Sequence, residues 1–273
     1  MIFKRIIFNL KMKIAICSFV IGDRYKDIVK YGIKIRKSYC EKYNYDYIDD
    51  ESMYDRTREI EWSKILIIQK YLNQYDFLVW IDADTLIMND SIKLESLIEK
   101  YLEGDNPKDL MYTVGHGWVN NGIMFVRNTK AMNEYFREVY NHTTEVCREQ
   151  GAMDLLYRIN WNNCQNKIVV VQDQNEFNSF WDTYSWGNFI IHFPGCNVPG
   201  RPENSLKRMM NMFCPIRMEE DTDHTYKFRM EWLSTRAVAD LYKFRGKGYL
   251  PIILEKEPKS VLIDIMMLID GVK

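Results

Sequence analysis

Phe77-Leu78-Val79-Trp80-Ile81 is a run of five large apolar residues without a polar interruption, and Asp82-Ala83-Asp84 follows it at once. A strand with one face in water alternates apolar and polar residues. An unbroken run therefore marks a strand covered on both faces, the central position of a sheet with helices on either side. Two carboxylates at the mouth of such a strand are costly unless a cation or hydrogen bonds compensate. This one feature predicts an α/β sheet with a polar site at the carboxyl end of its middle strand.

The rest of the chain supplies the partners. Residues 14–20 form a short apolar run ending at Gly22, a buried first strand. Ile28, Gly32, Ile35 and Tyr39 recur at helical spacing, with Asn44 as the stop, and residues 45–48 return to strand. Residues 51–61 are charged and read as a surface loop. The spacing of Ile65, Leu66, Gln69 and Leu72 predicts a helix over 62–72 with one apolar face. Further strands are expected at 110–114, 123–127, 167–171 and 189–193, and helices at 130–140 and 151–159. Strands and helices alternate, which argues a mainly parallel, doubly wound sheet. From Pro194 onward the pattern weakens. Pro199, Gly200, Pro202 and the acidic run 219–223 precede a possible helix at 232–244. The division expected is a domain of residues 1–198 and an extension of residues 199–273 packed on it.

At 273 residues, 47% of them hydrophobic, the chain is long enough to bury roughly three quarters of its unfolded surface. Lys plus Arg (37) balances Asp plus Glu (38), which leaves no net field to attract nucleic acid. Six cysteines stand far apart with no CxxC pair, so no zinc module is expected, and reduced core thiols in a reducing compartment are. The apolar N-terminus is broken by Lys4, Arg5, Asn9, Lys11 and Lys13, short of the roughly 18 uncharged residues of a membrane span. No membrane anchor and a cytoplasmic location are expected. Association of residues 2–10 with a membrane surface is the alternative.

Hard carboxylate oxygens such as those of Asp82 and Asp84 suit Mg²⁺ or Mn²⁺, which leave positions open for phosphate oxygens. The spacing alone is cheap, since Asp221-Thr222-Asp223 repeats it inside an exposed acidic run. What separates the two is the buried strand before Asp82.

Trp62-Ser63-Lys64, Leu78-Val79-Trp80-Ile81-Asp82-Ala83-Asp84-Thr85, Asn120-Asn121-Gly122-Ile123-Met124-Phe125-Val126-Arg127-Asn128, Glu149-Gln150-Gly151-Ala152 and His192-Phe193-Pro194-Gly195-Cys196 occur in that order. Together they resemble glycosyltransferase family 34, which includes galactosyl-, mannosyl- and xylosyltransferases. The resemblance runs from about Lys13 to Cys196. It implies a GT-A fold, a UDP- or GDP-linked sugar donor, a glycan or glycoconjugate acceptor, Mn²⁺ (or Mg²⁺) as cofactor and retention of the donor's anomeric configuration. Its implied metal ligands are Asp82, Asp84 and His192, with Asp82 facing the ribose or a metal-bound water. Imidazole beside carboxylate shifts the preference from Mg²⁺ toward Mn²⁺. The implied donor-binding residues are Ser18, Lys64, Asp82, Ala83, Gly195 and Asn197, and the implied catalytic group is Asn121, Glu149 and Gln150. The lack of a clear anchor and the Lys-, Ile- and Asn-rich usage fit a bacterial or viral enzyme building a surface glycan better than a Golgi one.

Each of these residues also has a plainer reading. Asn120-Asn121-Gly122 is a turn signal at a strand entry, Glu149-Gln150 is ordinary capping chemistry, and a lysine at the position of Lys64 is commonly exposed. His192 could be a buried histidine bonded to backbone. Phe180, Trp161, Trp181 and Trp186 read as core more readily than as a sugar-stacking groove. The sequence departs from the family at Asn197, where several relatives carry a diphosphate-contacting lysine. Arg201 is its candidate substitute, and the departure keeps a catalytically inactive sugar-nucleotide-binding or scaffolding domain as the alternative. A phosphatase of the haloacid-dehalogenase type also places Asp-x-Asp after an apolar strand, but its threonine follows a glycine one position later than Thr85.

Overall fold

The computed structural model describes residues 12–115, 118–142, 148–181, 183–185, 187–195, 206 and 210. The chain divides into two units, Met1–Lys207 and Arg208–Lys273, and both sheets and the helices packed on them belong to the first. The N-terminal segment 1–11, Cys196, Asn197, Arg201 and the proposed extension from 199, save residues 206 and 210, lie outside the described residues, as does Trp186.

Strand β1 (Ile14–Ser18) is buried at all five positions, as is β3 (Phe77–Ile81). The two pair in parallel, with β2 (Asp46–Asp49) on the outer side of β1. On the other side of β3 lies β6 (Trp118–Arg127), then β5 (Leu110–Gly115) and β7 (Ile168–Val171), giving the order β2-β1-β3-β6-β5-β7. Within this sheet β6 runs against its neighbours, while β5 and β7 pair in parallel. The sheet is therefore mainly parallel, as the alternation of elements predicts.

Successive side chains of a strand point to opposite faces, so a strand buried at every position needs cover on both. On one face Ala15, Cys17, Leu78, Trp80, Met124 and Val126 pack against helices α2 (Ser63–Tyr71), α4 (Lys130–Asn141) and α5 (Arg148–Arg158). α4 begins at an N-cap Thr129, whose hydroxyl accepts from Met132 N–H. It presents Met132, Tyr135, Phe136 and Val139 to the core, and each such side chain buried contributes about 1.5–3 kcal/mol. On the other face lies helix α1 (Asp23–Tyr43), which buries Ile28, Val29, Ile35 and Tyr39 and stops at Asn44 in the left-handed conformation, as the sequence predicts. Helix α3 (Leu94–Tyr101) buries Leu94, Leu97 and Ile98.

Three local differences from the sequence reading have physical causes. α2 buries Lys64, Ile65, Ile67 and Ile68, while Leu66 and Gln69 are only half-buried, because the helix is covered on more than one side. Asn120-Asn121-Gly122 is the interior of β6, not a turn: the strand begins earlier than its apolar run because Asn120 and Asn121 find buried hydrogen-bond partners. Two 3₁₀ turns, Glu51–Met53 and Ile60–Trp62, form where a loop was expected, and Arg58 stacks on Trp62 with its guanidinium carbon 3.4 Å from the ring centroid.

The strand expected at 189–193 belongs to a second, three-stranded sheet. There β9 (Ile190–His192) pairs antiparallel with β4 (Thr85–Ile87) and parallel with β8 (Ser179–Phe180). Asp82-Ala83-Asp84 is thus the link by which the chain leaves the large sheet at Ile81 and enters the small one at Thr85. Cys17, Cys40 and Cys164 are buried free thiols, and burial pushes the Cys40 thiol up to about 12. Among the described residues, no helix is long and apolar enough to cross a membrane.

Candidate active site

The link is held from both sides. Asp82 N–H donates to the carbonyl of Gly122 at 2.8 Å, extending the β3–β6 ladder by one step. Beyond it, Phe193 N–H donates to the Asp84 carbonyl at 3.0 Å, and β4–β9 pairing sets Thr85 opposite His192. A fully buried Arg36 from α1 reaches the Thr85 carbonyl and hydroxyl, both at 3.2 Å, and the Thr85 hydroxyl donates to the Asp82 carbonyl. The two carboxylates therefore project from a backbone fixed by both sheets.

This pairing carries His192 to Asp84. His192 Nε2 lies 3.4 Å from Asp84 Oδ1 and 4.0 Å from Asp82 Oδ2, and the three residues can offer ligand atoms all within 4.8 Å of one another. Two carboxylate oxygens and an imidazole nitrogen fit a divalent cation. The side chains of Asp82 and Asp84 are 27% and 18% exposed, so the site opens to solvent on the carboxylate side, while His192 is buried.

A second cluster shares Asp82. Lys64 Nζ, inside the protein on α2, lies 3.1 Å from Asp82 Oδ1, 3.1 Å from Glu149 Oε1 and 3.0 Å from Asn121 Oδ1. Asn121 Nδ2 in turn donates to Glu149 Oε1 at 3.1 Å. Burial pulls the lysine pKa down, but the carboxylates of Asp82 and Glu149 outweigh that and hold it above its ordinary value. Burial raises the Asp82 carboxyl, against the opposing pull of Lys64. Trp80 Nε1 also donates to Asp82 Oδ1 at 2.6 Å. With Oδ1 engaged by both indole and ammonium, Oδ2 is the oxygen turned toward His192.

Of the residues singled out from the sequence, Lys64, Asp82, Asp84, Asn121, Glu149 and His192 thus come together. Ala83 is buried between the two aspartates, and Gln150 is half-buried on the first turn of α5. Ser18 ends β1, one residue beyond the Cys17–Trp80 pair, fully buried with a hydroxyl that has no hydrogen-bond partner among the described residues. Gly195 is exposed, with φ of 68°. Of the aromatic group, Phe180 is buried edge-on to the His192 ring, and Trp161 packs half-buried against the core. The sequence reading missed Arg36 and Asn178. Both are fully buried polar residues without a motif around them, and the one signal that could have found Arg36 is its charge next to Ile35 and four residues after Gly32 on the apolar face of α1.

Residues 6–105 match glycosyltransferase family 34, the galactosyl transferase GMA12/MNN10 family. The family match covers Trp62-Ser63-Lys64 and the Asp82-Ala83-Asp84 segment and ends before Asn120. No curated protein matches the chain. Among solved structures, a glycosyltransferase involved in the glycosylation of the major capsid of PBCV-1 superposes with a TM-score of 0.59 at 18% identity, over 73% of this chain and 99% of that one. The galactosyltransferase LgtC, in complex with donor and acceptor sugar analogs, has a TM-score of 0.46 at 12% identity, over 79% of this chain and 100% of that one. The glycosyltransferase GlyE of Streptococcus pneumoniae TIGR4 has a TM-score of 0.48 at 14% identity, over 82% of this chain and 64% of that one. The chain has the GT-A glycosyltransferase fold.

Proposed function

We propose that the protein moves a sugar from a UDP- or GDP-linked donor to a hydroxyl of a glycan acceptor, with retention at the anomeric carbon. In this reading residues 1–198 are the transferase domain and 199–273 its extension. Asp82, Asp84 and His192 hold a divalent cation, Mn²⁺ in preference to Mg²⁺ because one ligand is imidazole. The observation that carries the reading is the meeting of these three side chains at the carboxyl end of β3, beside a buried Lys64–Glu149–Asn121 cluster that shares Asp82. The cation, when bound, supplies positive charge to offset the charge that grows on a departing diphosphate.

The protein's own residues do the orienting. Lys64 and Trp80 hold one oxygen of Asp82 and leave the other for the cation. Asn121 and Glu149 are fixed to each other and to Lys64, which presets the amide and carboxylate that would border the sugar. Glu149 is almost fully buried and tied to an ammonium, a poor state for a nucleophile. Front-face transfer suits that arrangement. The bond from the anomeric carbon to the donor phosphate oxygen breaks, the acceptor oxygen bonds the same face, and its proton passes to the departing phosphate oxygen.

The test is thermal unfolding with UDP- and GDP-sugars, with and without Mn²⁺. Binding at a hundred times the dissociation constant adds about 2.7 kcal/mol of stability. Metal-dependent stabilisation by one donor class, lost in Asp84→Ala, is the expected result. No shift with any donor overturns it.

A further inference from the structure

His192 has two ring nitrogens, and only one that carries no hydrogen can ligate a cation. We propose that Asn178 is the positioning residue that leaves Nε2 of His192 bare and aimed at the two aspartates. The proposal rests on the reading of Asp82, Asp84 and His192 as a cation site.

One group near the ring has a direction that cannot be reversed. The backbone N–H of Gly122 donates to Asn120 Oδ1 at 3.0 Å, so that side-chain atom is the oxygen. The same Asn120 Oδ1 lies 2.9 Å from the Asn178 amide, whose facing atom must then be the nitrogen, and that nitrogen is also 2.8 Å from Thr113 Oγ1. The remaining atom of the amide, Asn178 Oδ1, lies 2.9 Å from His192 Nδ1. A carbonyl oxygen only accepts, so Nδ1 carries the hydrogen. In the neutral ring Nε2 then has a free lone pair, and it is the nitrogen that faces Asp84 and Asp82. The orientation of a main-chain amide is thereby relayed through two asparagines to the ligand atom.

Packing closes the alternatives. Asn178 is fully buried, so water does not compete for its amide. The His192 ring lies so close over Gly122 that a Cβ there would meet Cε1 at 2.3 Å and Nδ1 at 2.9 Å. Phe180 meets the same ring edge-on, with centroids 5.9 Å apart. Ring position is thus set by Gly122 and Phe180, and Asn178 decides which nitrogen is bare. Partners of this kind, one shell outside a metal, typically change metal affinity by about 10–100-fold when removed.

The experiment reads the tautomer and the affinity separately. The chain has four histidines, so the ring ¹⁵N and ¹³C resonances of His192 in metal-free protein can be assigned by loss in His192→Gln. The wild type should show hydrogen on Nδ1, and Asn178→Ala should move it toward Nε2. Mn²⁺ affinity, followed by electron paramagnetic resonance of the free ion, should fall about 10–100-fold in the variant. Asn178→Ser, too short to reach the ring, serves if the alanine variant does not fold. Hydrogen on Nε2 in the wild type, or a variant with unchanged tautomer and affinity, overturns the proposal. A wild type that takes up no Mn²⁺ defeats the cation reading instead, while the tautomer measurement still decides the role of Asn178.

Discussion

Lys64 Nζ and Asp82 Oδ1 stand 3.1 Å apart, with the ammonium removed from solvent and the carboxylate at the edge of it. A buried ion pair contributes little by existing, yet removing one partner strands the other. Lys64→Met leaves Asp82 and Glu149 without their shared cation. It is expected to cost about 3–5 kcal/mol of stability in urea unfolding. A loss below about 1 kcal/mol would mean that the cluster is screened as a surface pair is.

Gly122 admits the His192 ring, and a methyl group there would sit 2.3 Å from Cε1. Gly122→Ala should therefore displace the imidazole, destabilise the protein by about 1–3 kcal/mol and weaken Mn²⁺ uptake. Denaturation midpoints and a metal titration of the same sample check both effects. An unchanged midpoint would show that the ring moves aside freely.

Glu149→Gln keeps the shape of the side chain and removes its charge. Under front-face transfer the variant should retain measurable turnover, lowered about 100-fold by loosened positioning, and trap no glycosyl-enzyme. Turnover of the variant, with mass spectrometry of the wild type mixed with donor, tests this. A covalent adduct on Glu149 of the wild type would replace the front-face route with double displacement.

Asp50 links the turn after β2 to the end of α2. Its carboxylate accepts from Lys70 Nζ at 2.5 Å, from Ser52 and from Tyr71 Oη at 2.8 Å, and the lysine contact leads in holding its pKa well below the usual carboxylate range. A folded pKa below the unfolded one gives stability that is present above about pH 4 and lost as pH falls through the folded value. Asp50→Asn should thus be less stable than wild type at pH 7 by about 1 kcal/mol or less, since Lys70 is exposed, with the gap closing toward pH 2. Paired urea unfolding at the two pH values measures it. A gap that persists at low pH would assign the effect to the Ser52 and Tyr71 hydrogen bonds.

How much of the site can be read without coordinates depends on the range of the physics involved. The run at Phe77–Ile81 reads as a strand covered on both faces, with Asp82 and Asp84 at its end, because its length, β-branched and aromatic content and flanks are all local. The stop of α1 at Asn44 is local in the same sense. The resemblance added Lys64, Glu149 and Asn121 as separate expectations, without saying that they touch.

Their contact is a property of the tertiary structure alone. A lysine on a helix normally faces water, and Lys64 is inside because β6, α2 and α5 converge on it with two carboxylates to match its charge. Asn120 and Asn121 look like a turn until β6 pairs with β3 across them. His192 reaches Asp84 only through the antiparallel pairing of β4 with β9, strands of three residues each whose partner choice depends on everything packed around them. Asn178 has no sequence signature because its hydrogen-bond partners, Thr113, Asn120 and His192, lie on three separate strands, β5, β6 and β9. Sequence by itself determined the strand, the helices and the paired carboxylates, since these follow from short-range pattern. Tertiary structure decided which polar residues meet them, since burial lets a polar group survive only where a distant partner arrives.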